Sequence, residues 1–239
     1  MNGELDGAVA FVTGAAGGIG HEVVIELESR GVRTAGLDLE PVEGATLPQV
    51  GDVSDETTVE GAVRRAEGEL GPIDYLVCAA GSTSEHPVAQ LPLAEWRRVT
   101  DSSLVGTFLA TRAVLPGMLA RRRGRIVALS SGFARKGYRN GAHYAAAKGG
   151  VEALVKSVAL EVADSGITAN VVAPGPVETP MLDHLAGRSG WRAGVEAAIP
   201  MGRIGAPADV VGPVLFFLER RAAYITGQVL HVNGGLLMP

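Results

Sequence analysis

Short β-branched and apolar runs alternate along the chain with longer segments of helical period, and this alternation constrains the fold more than any other feature. Repeated strand–helix units cannot close as hairpins; they feed a parallel sheet whose faces are covered by the helices. Ala8 to Thr13 is the first strand, and a glycine loop leads into a helix from about Ile19 to Arg30, with Val23, Val24 and Leu27 on one face. Gly31 caps its end. A second strand covers Arg33 to Asp38, and a third ends at Asp52 after a connection too rich in Pro and Gly for a helix. The rhythm continues through a helix carrying Val59, Val63, Ala66 and Leu70, a strand Asp74 to Ala79, and a long helix from about Leu93 to Leu119. Strand Arg125 to Leu129, helix His143 to Ala163, strand Ile167 to Ala173, helix Ala208 to Leu218 and strand Gln228 to Val232 complete it. The expected class is α/β: one domain over residues 1–239, with a doubly wound seven-stranded parallel sheet and helices on both faces. Residues 178–202 sustain no period that demands a core helix and are expected to form a flexible lid.

Composition narrows the partners. With 239 residues, 46% of them hydrophobic, the chain can bury one substantial core, and its formal charge of −5 opposes attraction to nucleic acid or anionic lipid. The basic run Arg121, Arg122, Arg123 and Arg125 reads as a solvated loop between a helix and a strand. The apolar runs, Val214 to Leu218 among them, fall far short of a bilayer span, and acidic residues precede the first apolar segment where a signal peptide would be basic. No membrane partner and a cytoplasmic location are therefore expected. Cys78 is the only cysteine, which rules out an intramolecular disulfide and a cysteine-based metal site; the histidines have no clustered ligand spacing, so no metal is expected.

The loop Thr13-Gly14-Ala15-Ala16-Gly17-Gly18-Ile19-Gly20 joins a strand to a helix. Without Cβ atoms its backbone can approach a pyrophosphate, with helix-terminal N–H groups facing the anion; a tight turn with close helix packing would use the same glycines. Asp38, at the end of the second strand and eighteen residues after Gly20, favours the nucleotide reading, since a carboxylate there accepts hydrogen bonds from adenosine ribose hydroxyls. It also repels a 2′-phosphate, and neither Gly17 nor Leu39 supplies a cation to offset that repulsion, so NAD(H) is expected over NADP(H) in a Rossmann domain.

Tyr144 and Lys148 lie four apart in a run of good helix formers and share a helical face. A nearby ammonium favours phenolate, so the tyrosine pKa is expected to fall toward the range of a general acid–base; an exposed helical pair is the alternative. Ser131 ends a strand thirteen residues before Tyr144, at the sheet edge that lines a ligand crevice, and its hydroxyl can polarise a carbonyl oxygen. Ser130 alternates to the other side and is the weaker choice unless the register slips.

Together these motifs resemble the short-chain dehydrogenase/reductase family from about Gly7 to Gly235. The resemblance adds Asp52-Val53 as an adenine contact, Ala79-Ala80-Gly81 after strand four, and Asn170 through Thr179 as the segment passing the nicotinamide, including Pro174 and Gly175. It implies that Thr179 and the Val177 backbone hold the carboxamide, that Lys148 also binds the nicotinamide ribose, and that the protein is a homodimer or homotetramer. The tail Ile225-Thr226-Gly227-Gln228 through Asn233-Gly234-Gly235 is equally typical. Two positions depart from the pattern. Asp101-Ser102-Ser103-Leu104 places Ser103 where the family has a fourth catalytic residue, an Asn that holds a water relay to the lysine. Cys78 stands where the strand-four motif starts with Asn, and reads as a buried small residue without a base to activate it.

The expected reaction interconverts a secondary alcohol and a ketone. Tyr144 exchanges the proton, Ser131 bonds the same oxygen and Lys148 stabilises the phenolate. Substrate is expected to enter among Ser82 to His86, Phe133 to His143 and Met181 to Trp191, with Met181, Leu182 and Trp191 able to form an apolar cover. A 3-oxoacyl thioester, hydroxysteroid, cyclic alcohol or dihydrodiol all fit. A dihydrodiol dehydrogenase or a noncatalytic NAD(H)-binding sensor are the alternatives, the latter suggested by Ser103 and opposed by the intact Ser131, Tyr144 and Lys148.

Overall fold

The computed structural model describes residues 5–182 and 190–239. Seven parallel strands form one sheet in the order β3-β2-β1-β4-β5-β6-β7. They are β1 (Val9–Thr13), β2 (Arg33–Asp38), β3 (Leu47–Val50), β4 (Tyr75–Cys78), β5 (Gly124–Leu129), β6 (Ile167–Pro174) and β7 (Val229–Val232). Chain order runs outward from β1 to β3 in one direction and from β4 to β7 in the other, so the reversal falls between β1 and β4. The central strands are buried on both faces, which is why they read as continuous apolar runs and not as an alternation.

Two cores sandwich the sheet. On one face, α1 (Gly18–Ser29) and α8 (Pro207–Leu218) bury Val23, Val24 and Leu27 against Val210, Val211 and Val214. On the other, α2 (Glu56–Leu70), α4 (Gly106–Arg121) and α6 (Ala142–Val162) contribute Val59 and Val63, Leu109 and Val114, and Val151 and Val155. Helix α2 begins where Asp55 accepts a hydrogen bond from the Thr58 N–H at 2.7 Å, satisfying one of the donors a helix start leaves open. The remaining helices are α3 (Leu93–Thr100), the one-turn α5 (Phe133–Lys136) and α7 (Trp191–Ala198).

Three elements differ from the sequence reading. The third strand ends at Val50 and not Asp52, because β3 pairs only as far as the partner of Asp38, where β2 stops. The long helix is not uniform: between α3 and α4, Asp101–Val105 forms a wide π turn that buries Ser103. Within the expected lid, α7 forms at Trp191–Ala198 with no fully buried residue, while residues 183–189 lie outside the described part. Helix Leu93–Arg121 has the length and apolarity to span a bilayer, but Leu109, Ala110, Val114 and Met118 are committed to the core.

Leu27 is fully buried between the sheet and α8. Leu27→Ala is expected to destabilise the protein by about 2–5 kcal/mol. A lower urea midpoint with an unchanged slope would be the signature.

Candidate active site

The carboxyl ends of β1 and β4, adjacent in the sheet, send their following chains to opposite sides and open a crevice between them. The glycine loop fills its floor. Gly14 has φ +69°, and a Cβ there would lie 2.5 Å from the Ala80 nitrogen; at Gly20 a Cβ would lie 2.0 Å from the Gly14 carbonyl oxygen. Both close approaches require glycine. Gly17 is different: a Cβ on it would meet nothing within 4 Å, so the space a side chain would take there is left to the cleft. This is the cradle a pyrophosphate needs, at the start of α1.

The cleft encloses about 520 Å³ and gathers Gly14, Gly17, Gly18, Ile19, Gly20, Asp38, Asp52, Val53, Ala79, Ala80 and Gly81, with Thr179 closing its far end. One Asp38 oxygen accepts the Ala16 N–H at 3.0 Å, fixing the carboxylate beside the loop. The Asp52 carboxylate instead accepts from the Ser54 N–H and hydroxyl, at 2.8 and 2.7 Å, and so shapes the wall beside buried Val53. Thr179 packs on the loop: its methyl lies 2.7 Å from where a Cβ on Gly18 would stand.

A second cavity of about 570 Å³ adjoins the first, sharing Ile19, Ala79, Leu129, Thr179 and Met181. Ser131, Tyr144, Lys148, Pro174, Gly175 and Val177 all face it. Ser131 lies near enough to Tyr144 to favour its phenolate, and the Ser131 hydroxyl oxygen accepts the Phe133 N–H at 3.3 Å. The Lys148 ammonium donates to the Leu129 carbonyl at 3.0 Å and lies 5.9 Å from the Tyr144 ring centre. Ser130 also lines this cavity, against the expected alternation to the other side, but its hydroxyl donates toward the Lys148 carbonyl and the buried Glu152 carboxylate.

Burial dominates the electrostatics. It pushes the Tyr144 phenol above its ordinary value, and neighbouring Ser131 only partly offsets it. The expected lowering of that pKa is therefore not found: the cost of burying a phenolate exceeds what Ser131 offsets. Burial also brings Lys148 down to about 8, with nearby Cys78 opposing. The Cys78 thiol is itself pushed up to about 12 by burial, so it is a packing group and not a nucleophile.

Ser103 lines neither cavity. Its hydroxyl is buried without a partner, and it stands 2.9 Å from the point where a Cβ on Gly81 would sit, a point also 3.1 Å from the Lys148 nitrogen. The Ser103 hydroxyl and the Lys148 ammonium thus both approach the same side of Gly81. His143 is fully buried and bonds Ser84 through Nε2 at 2.9 Å, so it packs behind the site and does not enter it.

The substrate side is largely apolar and aromatic. Phe133 and Tyr138 stack at 4.1 Å between ring centres, and both meet Tyr144 edge-on. Met181, Leu182 and Trp191 line the cavity as the sequence reading expects, and Val195, Ala198 and Leu236 join them. These last three carried no usable signal: α7 is short, and Leu236 comes from the tail beyond β7.

A parallel sheet with a glycine cradle at its reversal and a Ser–Tyr–Lys cluster beside it defines a dinucleotide-binding oxidoreductase. The chain belongs to the short-chain dehydrogenase/reductase family, whose members bind a nicotinamide cofactor and act on small molecules. The family profile described as Enoyl-(Acyl carrier protein) reductase matches residues 14–237. The 3-oxoacyl-[acyl-carrier-protein] reductase FabG of Escherichia coli (strain K12) is 37% identical over 244 residues, covering 98% of each chain. Nodulation protein G of Rhizobium sp. (strain N33) is 36% identical over 245 residues, covering 98% of this chain and 99% of its own. Among solved structures, ligand-free aldohexose dehydrogenase (AldT) of Thermoplasma acidophilum superposes with a TM-score of 0.91 at 30% identity, covering 97% of this chain and 94% of its own.

Lys148 at about 8 against 10.5 when unfolded has a consequence for stability. Below pH 8 both states are protonated and the fold bears the full cost of a buried ammonium. Between the two values only the unfolded chain keeps the proton, so that cost is relieved as pH rises. Relative to Lys148→Met, the wild type should therefore gain up to about 1.4 kcal/mol per pH unit across this window. Urea unfolding of both proteins below and within the window measures it; a constant difference would contradict the lowered value.

Proposed function

We propose that the protein is an NAD(H)-dependent oxidoreductase interconverting a secondary alcohol and a ketone. The observation that carries this reading is the meeting of Ser131, Tyr144 and Lys148 in a cavity continuous with the glycine-lined cleft. The nicotinamide, when bound, supplies or accepts the hydride.

The chain's own groups handle the oxygen and its proton. Tyr144, with its pKa held high, is protonated at neutral pH and ready to donate to a ketone oxygen as charge builds there. Ser131, beside Tyr144 in the same cavity, bonds the same oxygen and fixes its approach. Lys148, mostly an ammonium at neutral pH, stabilises the phenolate left behind. In the oxidising direction the phenolate takes the alcohol proton. Ser103, whose hydroxyl faces the lysine's surroundings, takes the relay position that the family gives to Asn.

Asp38 supports NAD(H) over NADP(H). Its carboxylate is fixed beside Gly17 and Leu39, and a 2′-phosphate there would meet a like charge. Among the described residues lining the cleft, Arg98 is the one guanidinium, and it is engaged by Glu95 at 2.9 Å. The residues proposed to hold the nicotinamide end are Lys148, Pro174, Gly175, Val177 and Thr179, which line the second cavity, Thr179 lining the cleft as well. Residues 178–202 are proposed as a lid, with Met181, Leu182 and Trp191 supplying its apolar face. A cytoplasmic homodimer or homotetramer is the proposed state.

The relatives' names, a 3-oxoacyl reductase and an aldohexose dehydrogenase, both fall within carbonyl–alcohol chemistry. The test is the nicotinamide absorbance change with purified protein, each of the four nicotinamide dinucleotides, and a panel of ketones and secondary alcohols. Turnover with NADH exceeding that with NADPH is expected. Tyr144→Phe should lower turnover by roughly a hundredfold to ten-thousandfold while leaving NADH affinity nearly unchanged. Near-normal turnover in that variant would remove Tyr144 from its role. A clear NADPH preference would count against Asp38. Cofactor binding without turnover across the panel would favour the noncatalytic sensor.

A further inference from the structure

Tyr144 and Lys148 do not end their stripe: Glu152 follows at the same spacing on α6 and is 4% exposed. A carboxylate this deeply buried needs partners for both oxygens, and each has one. Ser130, the neighbour of Ser131, donates to Oε1 at 3.0 Å, with the Lys148 carbonyl 3.1 Å away as a second acceptor. Arg135 reaches Oε2 at 2.9 Å from α5, the one-turn helix whose first residue, Phe133, walls the substrate cavity. His231 faces the same pair from β7, and burial favours its neutral form, so Arg135 carries the opposing charge.

The two partners bracket one short segment. Ser130 is anchored to the sheet by its N–H on the Val172 carbonyl at 2.8 Å, Ser131 follows, and four residues later Arg135 holds the far end. Between them lies a single turn, closed by backbone bonds from Ala134 to Ser131, from Arg135 and Lys136 to Gly132 and from Gly137 to Phe133, and tied to the sheet by the Gly132 N–H on the Pro174 carbonyl. A four-residue helix is too short to be stable alone.

We propose that Glu152 is a positioning residue that sets the site from behind: one oxygen holds Ser131 in place through Ser130, and the other holds the Phe133 wall through Arg135. This rests on the proposed roles of Ser131 and Tyr144. The carboxylate lines neither cavity. Its two oxygens act on different quantities, catalytic alignment through Ser130 and the shape of the substrate cavity through Arg135.

Three variants separate these effects. Glu152→Gln keeps an acceptor for Ser130 but loses the charge that holds Arg135; Glu152→Ala loses both; Arg135→Gln loses only the second. With a bulky ketone and NADH, Glu152→Ala is expected to lower kcat by roughly tenfold to a hundredfold. Glu152→Gln should restore most of kcat while KM stays raised, and Arg135→Gln should raise KM more than it lowers kcat. Hydrogen–deuterium exchange on the free protein is the readout that needs no turnover. Peptides covering residues 130–138 should exchange about tenfold faster in Glu152→Ala, with the rest of the sheet unchanged.

Equal loss of kcat in the Gln and Ala variants, uniform acceleration of exchange across the protein, or unchanged exchange in residues 130–138 would each overturn the proposal. If Glu152→Ala does not fold, Glu152→Gln and Arg135→Gln still decide it through the same exchange pattern. A wild type inert toward every ketone would refute the proposed function, while the exchange experiment would still show whether Glu152 holds the segment.

Discussion

The reversal of strand order between β1 and β4 is the constraint on which the rest depends. Every strand is parallel, so every connection must cross a face of the sheet, and neighbouring crossovers normally cover the strand ends. Only where chain order turns outward both ways do the crossovers part. The glycine loop after β1 and the Ala79-Ala80-Gly81 segment after β4 meet there, at van der Waals limits that admit no Cβ on Gly14. Ser131, from the end of β5, and Thr179, beyond β6, then reach the same opening from the side.

Burial sets the electrical character of this opening. Tyr144, Lys148, Ser103 and Glu152 all come from helical segments packed against the sheet, and each is nearly withdrawn from water. Withdrawal moves phenol and ammonium toward their neutral forms, with Ser131 opposing it at the tyrosine and Cys78 at the lysine.

Much of this was legible in the sequence because periodicity and punctuation agreed. Gly31 and Gly71-Pro72 mark helix ends, and the buried strands show as unbroken apolar runs, so the element order follows without any long-range information. The glycine loop, Asp38, Ser131, Tyr144 and Lys148 could be named because strand ends and helical spacing place them on one edge. What escaped depends on contacts between distant segments. The direction of the Tyr144 shift depends on how deeply α6 sinks into the fold. Leu236 enters the cavity only because the tail folds back, and α5 is too short for any period to register. Glu152 is an intermediate case: its spacing is visible, but only Ser130 and Arg135 closing on it reveal why a charge is tolerated there.

The wide turn at Asp101–Val105 also bears on how this chain can vary. A π turn accommodates one residue more than an α turn over the same rise, so it behaves as an insertion absorbed without a loop. Were a residue deleted nearby and the turn not rebuilt, everything after it on α4 would rotate by about 100° about the helix axis. Leu109, Val114 and Met118 would leave the core, and exposed Phe108 would swing toward it. The length of this stretch is therefore locked to its amino-acid identities, so that gaps and substitutions here should arise together in descendants of the gene and seldom singly.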